Sequence, residues 1–293
     1  MVPKAGRGPY RMAWGVLALA LVGAACTGSA TTSTERVDDG PDPERRGPQG
    51  RVAQFIVECE LSHIAYDDPI VLPDLPGESH LHQFFGNRDV TAEPDYDALL
   101  GAETSCAQRQ DTASYWAPAL LDASGSRVEP VGFVAYYRPG SGVDPADVVP
   151  YPEGLMLIGG DSGATEPQPT DIVSWSCGTG PAREAEPPQC PPGSSLRMLV
   201  KFPDCWNGDQ LTGMGSGGHV RYSDGGCPDG FPVAVPQLLV AIDYPPVDPE
   251  GLSLASGSIL TGHADFWNVW DQEKLERETA QCINRDLVCG VSG

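Results

Sequence analysis

Short apolar runs bounded by Gly, Pro and Asp recur along the chain, and longer runs with a helical period are scarce. That pattern marks brief β-strands joined by turns. It predicts strands over 52–58, 114–120, 128–137, 155–158, 172–176, 196–202, 219–222 and 237–244. Alternation is only rough in the best of them, Val131-Gly132-Phe133-Val134-Ala135-Tyr136-Tyr137. One helix is predicted over 271–284. Asp271 can cap it, and Glu273 and Glu276 fall in its first turns, where carboxylates favour a helix. Proline-rich stretches at 139–152, 166–170 and 181–192 read as loops. The pattern as a whole predicts a mainly β protein. It is a β-sandwich or jelly-roll-like single domain, with long disulfide-restrained loops and a C-terminal helix.

The front of the chain has a different pattern. Lys4, Arg7 and Arg11 precede an apolar stretch over 12–22, and small residues Gly23, Ala24 and Ala25 lead to Cys26. Residues 1–25 therefore read as a secretory signal peptide, with an apolar part too short to span a bilayer. Cys26 after small residues fits lipidation at a bacterial lipobox, although Gly23 stands where leucine is usual. Ordinary cleavage nearby is the alternative. Residues 26–50 are polar, without apolar periodicity, and read as a disordered tether. Residues 51–293 keep one mixed composition and read as the folded domain.

Cysteine count and charge narrow the class. Setting Cys26 aside leaves eight cysteines, an even number that implies disulfides in an exported chain. Pairing of sequence neighbours is the simplest expectation: Cys59–Cys106, Cys177–Cys190, Cys205–Cys227 and Cys282–Cys289. The first 25 residues hold three bases and no acid, so the remainder carries 15 Lys+Arg against 40 Asp+Glu, a formal charge of −25. Such a surface repels nucleic acid and anionic membrane, so membrane attachment rests on the N-terminal lipid alone. Only three lysines among abundant Arg, Ala, Gly and Pro suggest a GC-rich, actinobacterial genome.

Histidine placement supplies the candidate chemistry. His80 and His82 lie two apart, as do His263 and Asp265, so each pair shares a face if its segment is extended. His219 follows the glycine-rich run 213–218, read as a mobile loop delivering it. Three readings stay open. His80, His82 and His263, with His219 or Asp265, can bind zinc or copper. The same residues can work without metal as general acid and base, Asp265 orienting a neighbouring ring. Or they form a buried hydrogen-bond network. Tyr115, Trp116, Trp206, Tyr222 and Trp267, with Asn87, are candidate sugar-binding residues, because flat rings with polar edges suit a pyranose. Asp204 is a second candidate carboxylate, its alternative role being a turn.

The segments Ser79-His80-Leu81-His82-Gln83-Phe84-Phe85-Gly86-Asn87, Ser114-Tyr115-Trp116-Ala117-Pro118-Ala119-Leu120, Phe202-Pro203-Asp204-Cys205-Trp206-Asn207-Gly208, Gly218-His219-Val220-Arg221-Tyr222 and His263-Ala264-Asp265-Phe266-Trp267-Asn268 together resemble the DUF1996 family. The resemblance spans residues 55–289. It implies a secreted protein of fungal or actinobacterial type, and through the family's joining to carbohydrate-binding WSC domains it suggests a polysaccharide or cell-wall glycan partner. The expected function is an exported or surface-anchored, glycan-cleaving hydrolase or lyase. The alternative is a non-catalytic cell-envelope module that binds carbohydrate or metal.

Overall fold

The computed structural model describes residues 52–93, 95–213 and 218–291. The expected signal peptide, tether and lipidated Cys26 lie outside the described residues, as does most of the glycine-rich run before His219. In chain order the strands are β1 (Gln54–Cys59), β2 (Leu61–Ala65), β3 (His82–Gly86), β4 (Ser114–Pro118), β5 (Leu120–Leu121), β6 (Gly132–Arg138), β7 (Met156–Gly160), β8 (Val173–Cys177), β9 (Leu196–Lys201), β10 (Cys205–Trp206), β11 (Val220–Arg221), β12 (Val233–Ala234), β13 (Gln237–Tyr244), β14 (Ser253–Leu254), β15 (His263–Trp267) and β16 (Val288–Val291). Helix α1 spans Tyr96–Leu99 and α2 spans Gln272–Glu278.

Two sheets make the body. One has six strands in the order β16-β1-β6-β13-β9-β8, the other five in the order β2-β3-β4-β15-β7. Their inner faces meet in one large core, as in a β-sandwich. Phe85 stacks on Phe133 with centroids 4.4 Å apart, Tyr115 packs beside Phe133 at 5.0 Å, and Tyr137 stacks on Phe55 at 4.5 Å. The four disulfides join each cysteine to its sequence neighbour: Cys59–Cys106, Cys177–Cys190, Cys205–Cys227 and Cys282–Cys289. At the C-terminus, Asp271 accepts from the Lys274 amide and caps α2, as its position in the sequence predicts. The last turn widens into a π-helical segment over Thr279–Ile283.

The five-stranded sheet differs from a usual sandwich layer because its outer face is also covered. Residues 66–81, connecting β2 to β3, and the region of α1 lie over it. Ile70, Val90 and Leu99 pack there against Phe84, Trp116 and Trp267 in a second, smaller core. Every residue of β3, β4 and β15 is therefore buried. Strands with both faces covered lose the polar–apolar alternation; β4 still reads as a strand through its apolar and aromatic run, but β3 and β15, interrupted by His82, Gln83, His263 and Asp265, were not among the strands the pattern predicts. No helix among the described residues is long and apolar enough to cross a membrane.

Candidate functional site

The outer face of the five-stranded sheet carries the histidine cluster. On β3, His82 and Phe84 point to this face while Gln83 and Phe85 point inward. On β15, His263, Asp265 and Trp267 do the same, because Asp265 stands opposite Trp116 on β4 and Ile158 on β7. His80 lies just before β3 and reaches over the sheet from the covering segment. Ring centroids are 4.2 Å apart for His80 and His82, 5.1 Å for His80 and His263, and 6.1 Å for His82 and His263. One ring nitrogen from each lies within 4.8 Å of the others.

Two of the rings are fixed by backbone carbonyls. His82 Nδ1 is 2.9 Å from the Asp67 carbonyl oxygen, and His263 Nδ1 is 2.8 Å from that of Thr261. A carbonyl oxygen only accepts, so each Nδ1 carries the proton and each Nε2 presents a lone pair. The Thr261 turn is itself held by Gln168, whose Nε2 donates to the Leu260 and Gly262 carbonyls. Gly160, paired with His263 across the strands, has φ +81°, and a Cβ there would stand 2.5 Å from the Gly262 oxygen. Only glycine fits this close approach.

Asp265 is 1 % exposed and neither carboxylate oxygen has a protein partner. Its Oδ2 stands 3.9 Å from His263 Nε2, beyond hydrogen-bond distance. His82 Nε2 and His80 Nε2 are likewise buried without a protein partner. Each such group costs about 1–3 kcal/mol if left unpaired. Burial sets the protonation states. It lowers His82 well below its ordinary value, with a further push from His80, and brings His263 down to about 4. It lowers His80 as well, and raises Asp265 well above the carboxylate range, reinforced by Asp68. The rings are thus neutral at pH 7, and His263 with Asp265 is no ion pair.

A pocket of about 300 Å³ opens beside the cluster. His80, His263 and Asp265 line it, together with Asp68, Val71, Leu72, Glu78, Ser79, Ile158, Ser162 and Ser256. The covering segment supplies most of this wall. Asp68 Oδ1 accepts from the Ile70 and Val71 amides at 3.0 and 2.9 Å, so the loop turns tightly around it. Neither Asp68 nor the three serines was singled out from the sequence. Their one signal is chain proximity: Asp68 follows the residue whose carbonyl fixes His82.

The remaining expected site residues stand elsewhere. His219 is not part of the cluster: its Nε2 is 2.7 Å from the Met156 carbonyl. Met156 opens β7 and Gly160, opposite His263, closes it, so the two positions lie about 13 Å apart along an extended strand. Tyr115 is a core residue whose hydroxyl donates to Asp111 Oδ2 at 2.6 Å and meets Tyr137. Trp116 and Trp267 are 1 % and 2 % exposed and fill the outer core, Trp267 beside Tyr96. Asn87 is buried and ties loops together, donating to the Leu99 and Thr112 carbonyls. Trp206 lies on β10, the central strand of a small three-stranded sheet in the order β11-β10-β12, and donates to the Gln210 carbonyl. Tyr222 donates to the Lys201 carbonyl and braces the Gly160 amide at 3.4 Å. None of these aromatic faces lines the pocket. Asp204 is buried under Gly140 and accepts from the Ser223 amide and the Gln237 side chain, so it ties distant segments together rather than shaping a local turn.

Among the described residues, a second cluster with donor atoms close together is Cys59, Cys106 and Asp111, and its two sulfurs are already joined as a disulfide. No curated protein and no solved structure matches the chain. Residues 68–270 match the family described as a domain of unknown function, DUF1996, and that span begins at Asp68 and holds every residue of the pocket. The chain belongs to the DUF1996 family.

Proposed function

We propose that this protein is an exported enzyme that cleaves a hydroxyl-rich polymer, a cell-envelope glycan, in the pocket over β3 and β15. The observation that carries the reading is the convergence of three neutral imidazoles and an unpaired buried carboxylate, of which His80, His263 and Asp265 form part of the wall of an open pocket and His82 lies buried behind them. Buried ionisable groups whose protonation is displaced and which meet in a cleft favour a reacting site.

The lining supports the substrate class. Ser79, Ser162 and Ser256 offer hydroxyls, Asp68 and Glu78 offer acceptors, and no lysine or arginine lines the pocket. Such a wall suits a neutral polyol and disfavours a polyanion. A volume of about 300 Å³ is at the small end for ligand pockets, so a single unit of a polymer enters. Export follows the four disulfides, which form in an oxidising compartment. The N-terminal signal and a lipid on Cys26 would hold the domain at the surface of an actinobacterial cell.

Release of reducing ends from purified cell-envelope polysaccharides tests the reading. His80 is half-buried and outside the strands, so His80→Gln is expected to keep the fold and lower turnover about 10²–10⁴-fold. Glutamine retains a hydrogen bond but neither moves a proton at neutral pH nor replaces the imidazole lone pair. Retention of a glycan on the wild-type protein with no product would instead establish a binding module.

A further inference from the structure

His82 and His263 face one another across a strand. Asp265 stands opposite Trp116 and Phe266 opposite Tyr115, so the same register puts His263 opposite Pro118, and His82 is paired with Pro118 from the other side. Two strand spacings separate their backbones by about 9.5 Å, yet the ring centroids are 6.1 Å apart. The side chains lean toward each other over Pro118, which has no long side chain to keep them apart. His80 closes the third side from the covering segment.

The hydrogen bonds leave this centre rich in electron pairs. His82 and His263 spend their one proton each on backbone carbonyls, so both Nε2 atoms turn lone pairs inward. Asp265 adds two carboxylate oxygens with no protein donor. Acceptors gathered around one point in a buried wall call for a cation, and a ring whose other nitrogen is tied to a carbonyl is oriented as metal-bound histidines are.

We infer that His80, His82 and His263 bind a divalent transition-metal ion, zinc, with Asp265 balancing its charge beside His263 and one coordination position open to the pocket. The inference rests on the reading of the pocket as a reacting site only for what the ion does there, not for its binding. Imidazole suits zinc, whereas calcium and magnesium take oxygen ligands. All eight cysteines of the domain are in disulfides, so no thiolate competes. Zinc–nitrogen bonds of about 2.0–2.1 Å put tetrahedral donors about 3.4 Å apart. Donors now within 4.8 Å close to that by modest ring movement, most easily at His80. The 3.9 Å between His263 Nε2 and Asp265 Oδ2 keeps the carboxylate within reach of the same ion. Three protein ligands with one open position are the arrangement of catalytic rather than structural zinc, and such an ion supplies an activated water at neutral pH.

The test is metal content. The exported protein, purified with its disulfides intact, is equilibrated with Zn²⁺, freed of excess and analysed by mass spectrometry of the metal. Near one zinc per chain is expected, as is a visible spectrum of nitrogen-bound Co²⁺ after replacement. His80→Ala combined with His263→Ala should lose the ion, while His219→Ala keeps it. Asp265→Asn should weaken zinc by about 10–100-fold, as removal of a partner next to the ligands does. His80→Ala alone guards against misfolding, since this ring is half-buried, and it too should weaken binding. Absence of zinc and cobalt from correctly disulfide-bonded protein overturns the inference. So does full stoichiometry in the double variant. Zinc bound without turnover on any glycan removes the proposed function and leaves this site standing. Turnover by protein that takes up neither zinc nor cobalt does the reverse.

Discussion

At the scale of single residues, burial decides which groups titrate and in which direction. Asp111 is fully buried between the Tyr115 hydroxyl and the Ala113 amide, and burial pushes its carboxyl up to about 8 from an ordinary 3.8. Between those values the folded chain holds a proton that the unfolded chain has released. Stability attributable to Asp111 is therefore full at pH 4 and is lost as pH rises to 8, by at most about 1.4 kcal/mol per pH unit. Asp111→Asn should flatten that fall, read as urea midpoints at pH 5 and pH 8. An unchanged slope would mean the carboxylate is ionised in the fold. His263 works in the opposite sense. Its folded value near 4 lies below the ordinary 6.5, so its contribution is present above pH 6.5 and is lost toward pH 4. The shared face of His263 and Asp265 was legible in the sequence, because spacing of two is decisive on a strand; His80 meets His82 for another reason, reaching over the sheet from the segment before β3. The partners of Tyr115, Asn87 and His219 were not legible, since a core tyrosine and a sugar-stacking tyrosine look alike until the other sheet is in place.

At the scale of elements, the strands rich in aromatic and aliphatic residues were legible, whereas those that carry the polar site residues were not. β13 spans Gln237–Tyr244, as the pattern predicts, and β9 and β4 fall inside their expected ranges. β2, β3 and β15 were absent from the expected strands, although β3 and β15 hold the site. The segment His263-Ala264-Asp265-Phe266-Trp267 gives no alternation, because Asp265 and His263 are as buried as Phe266. β15 depends on the bend at Gly160 in its neighbour β7. Gly160→Ala would combine φ +81° with a Cβ 2.5 Å from the Gly262 oxygen. It should destabilise the domain by about 1–3 kcal/mol and displace His263. Thermal melting checks the first effect. Zinc uptake at matched folded fraction checks the second, and normal values for both would show that the strand pair adjusts.

At the scale of the molecule, disulfides clip an acidic sandwich whose loops carry little core of their own. Cys59–Cys106 closes 47 residues that include β2, the covering segment, β3 and α1, whereas Cys282–Cys289 closes only 7. Loop-closure arithmetic assigns about 4 kcal/mol to the first and about 2.4 kcal/mol to the second. Replacing the first pair by Ala should lower the denaturant midpoint more than replacing the second, and the reverse order would place the stabilisation in local packing instead. The class, the disulfide pairing and the family were legible at this scale. The covered outer face was not, because nothing in composition says that a loop will lie down on a sheet. Adjacent antiparallel strands need only a two- to five-residue turn, yet residues 66–81 separate β2 from β3. The inner core between the two sheets makes no use of those residues. Heredity can therefore edit the part of this stretch between Ile70 and Ser79, lengthening it or exchanging its side chains, while the sandwich beneath goes on folding. Related chains would then diversify in what they grip through one replaceable passage of sequence, much as a tool changes its bit and keeps its handle.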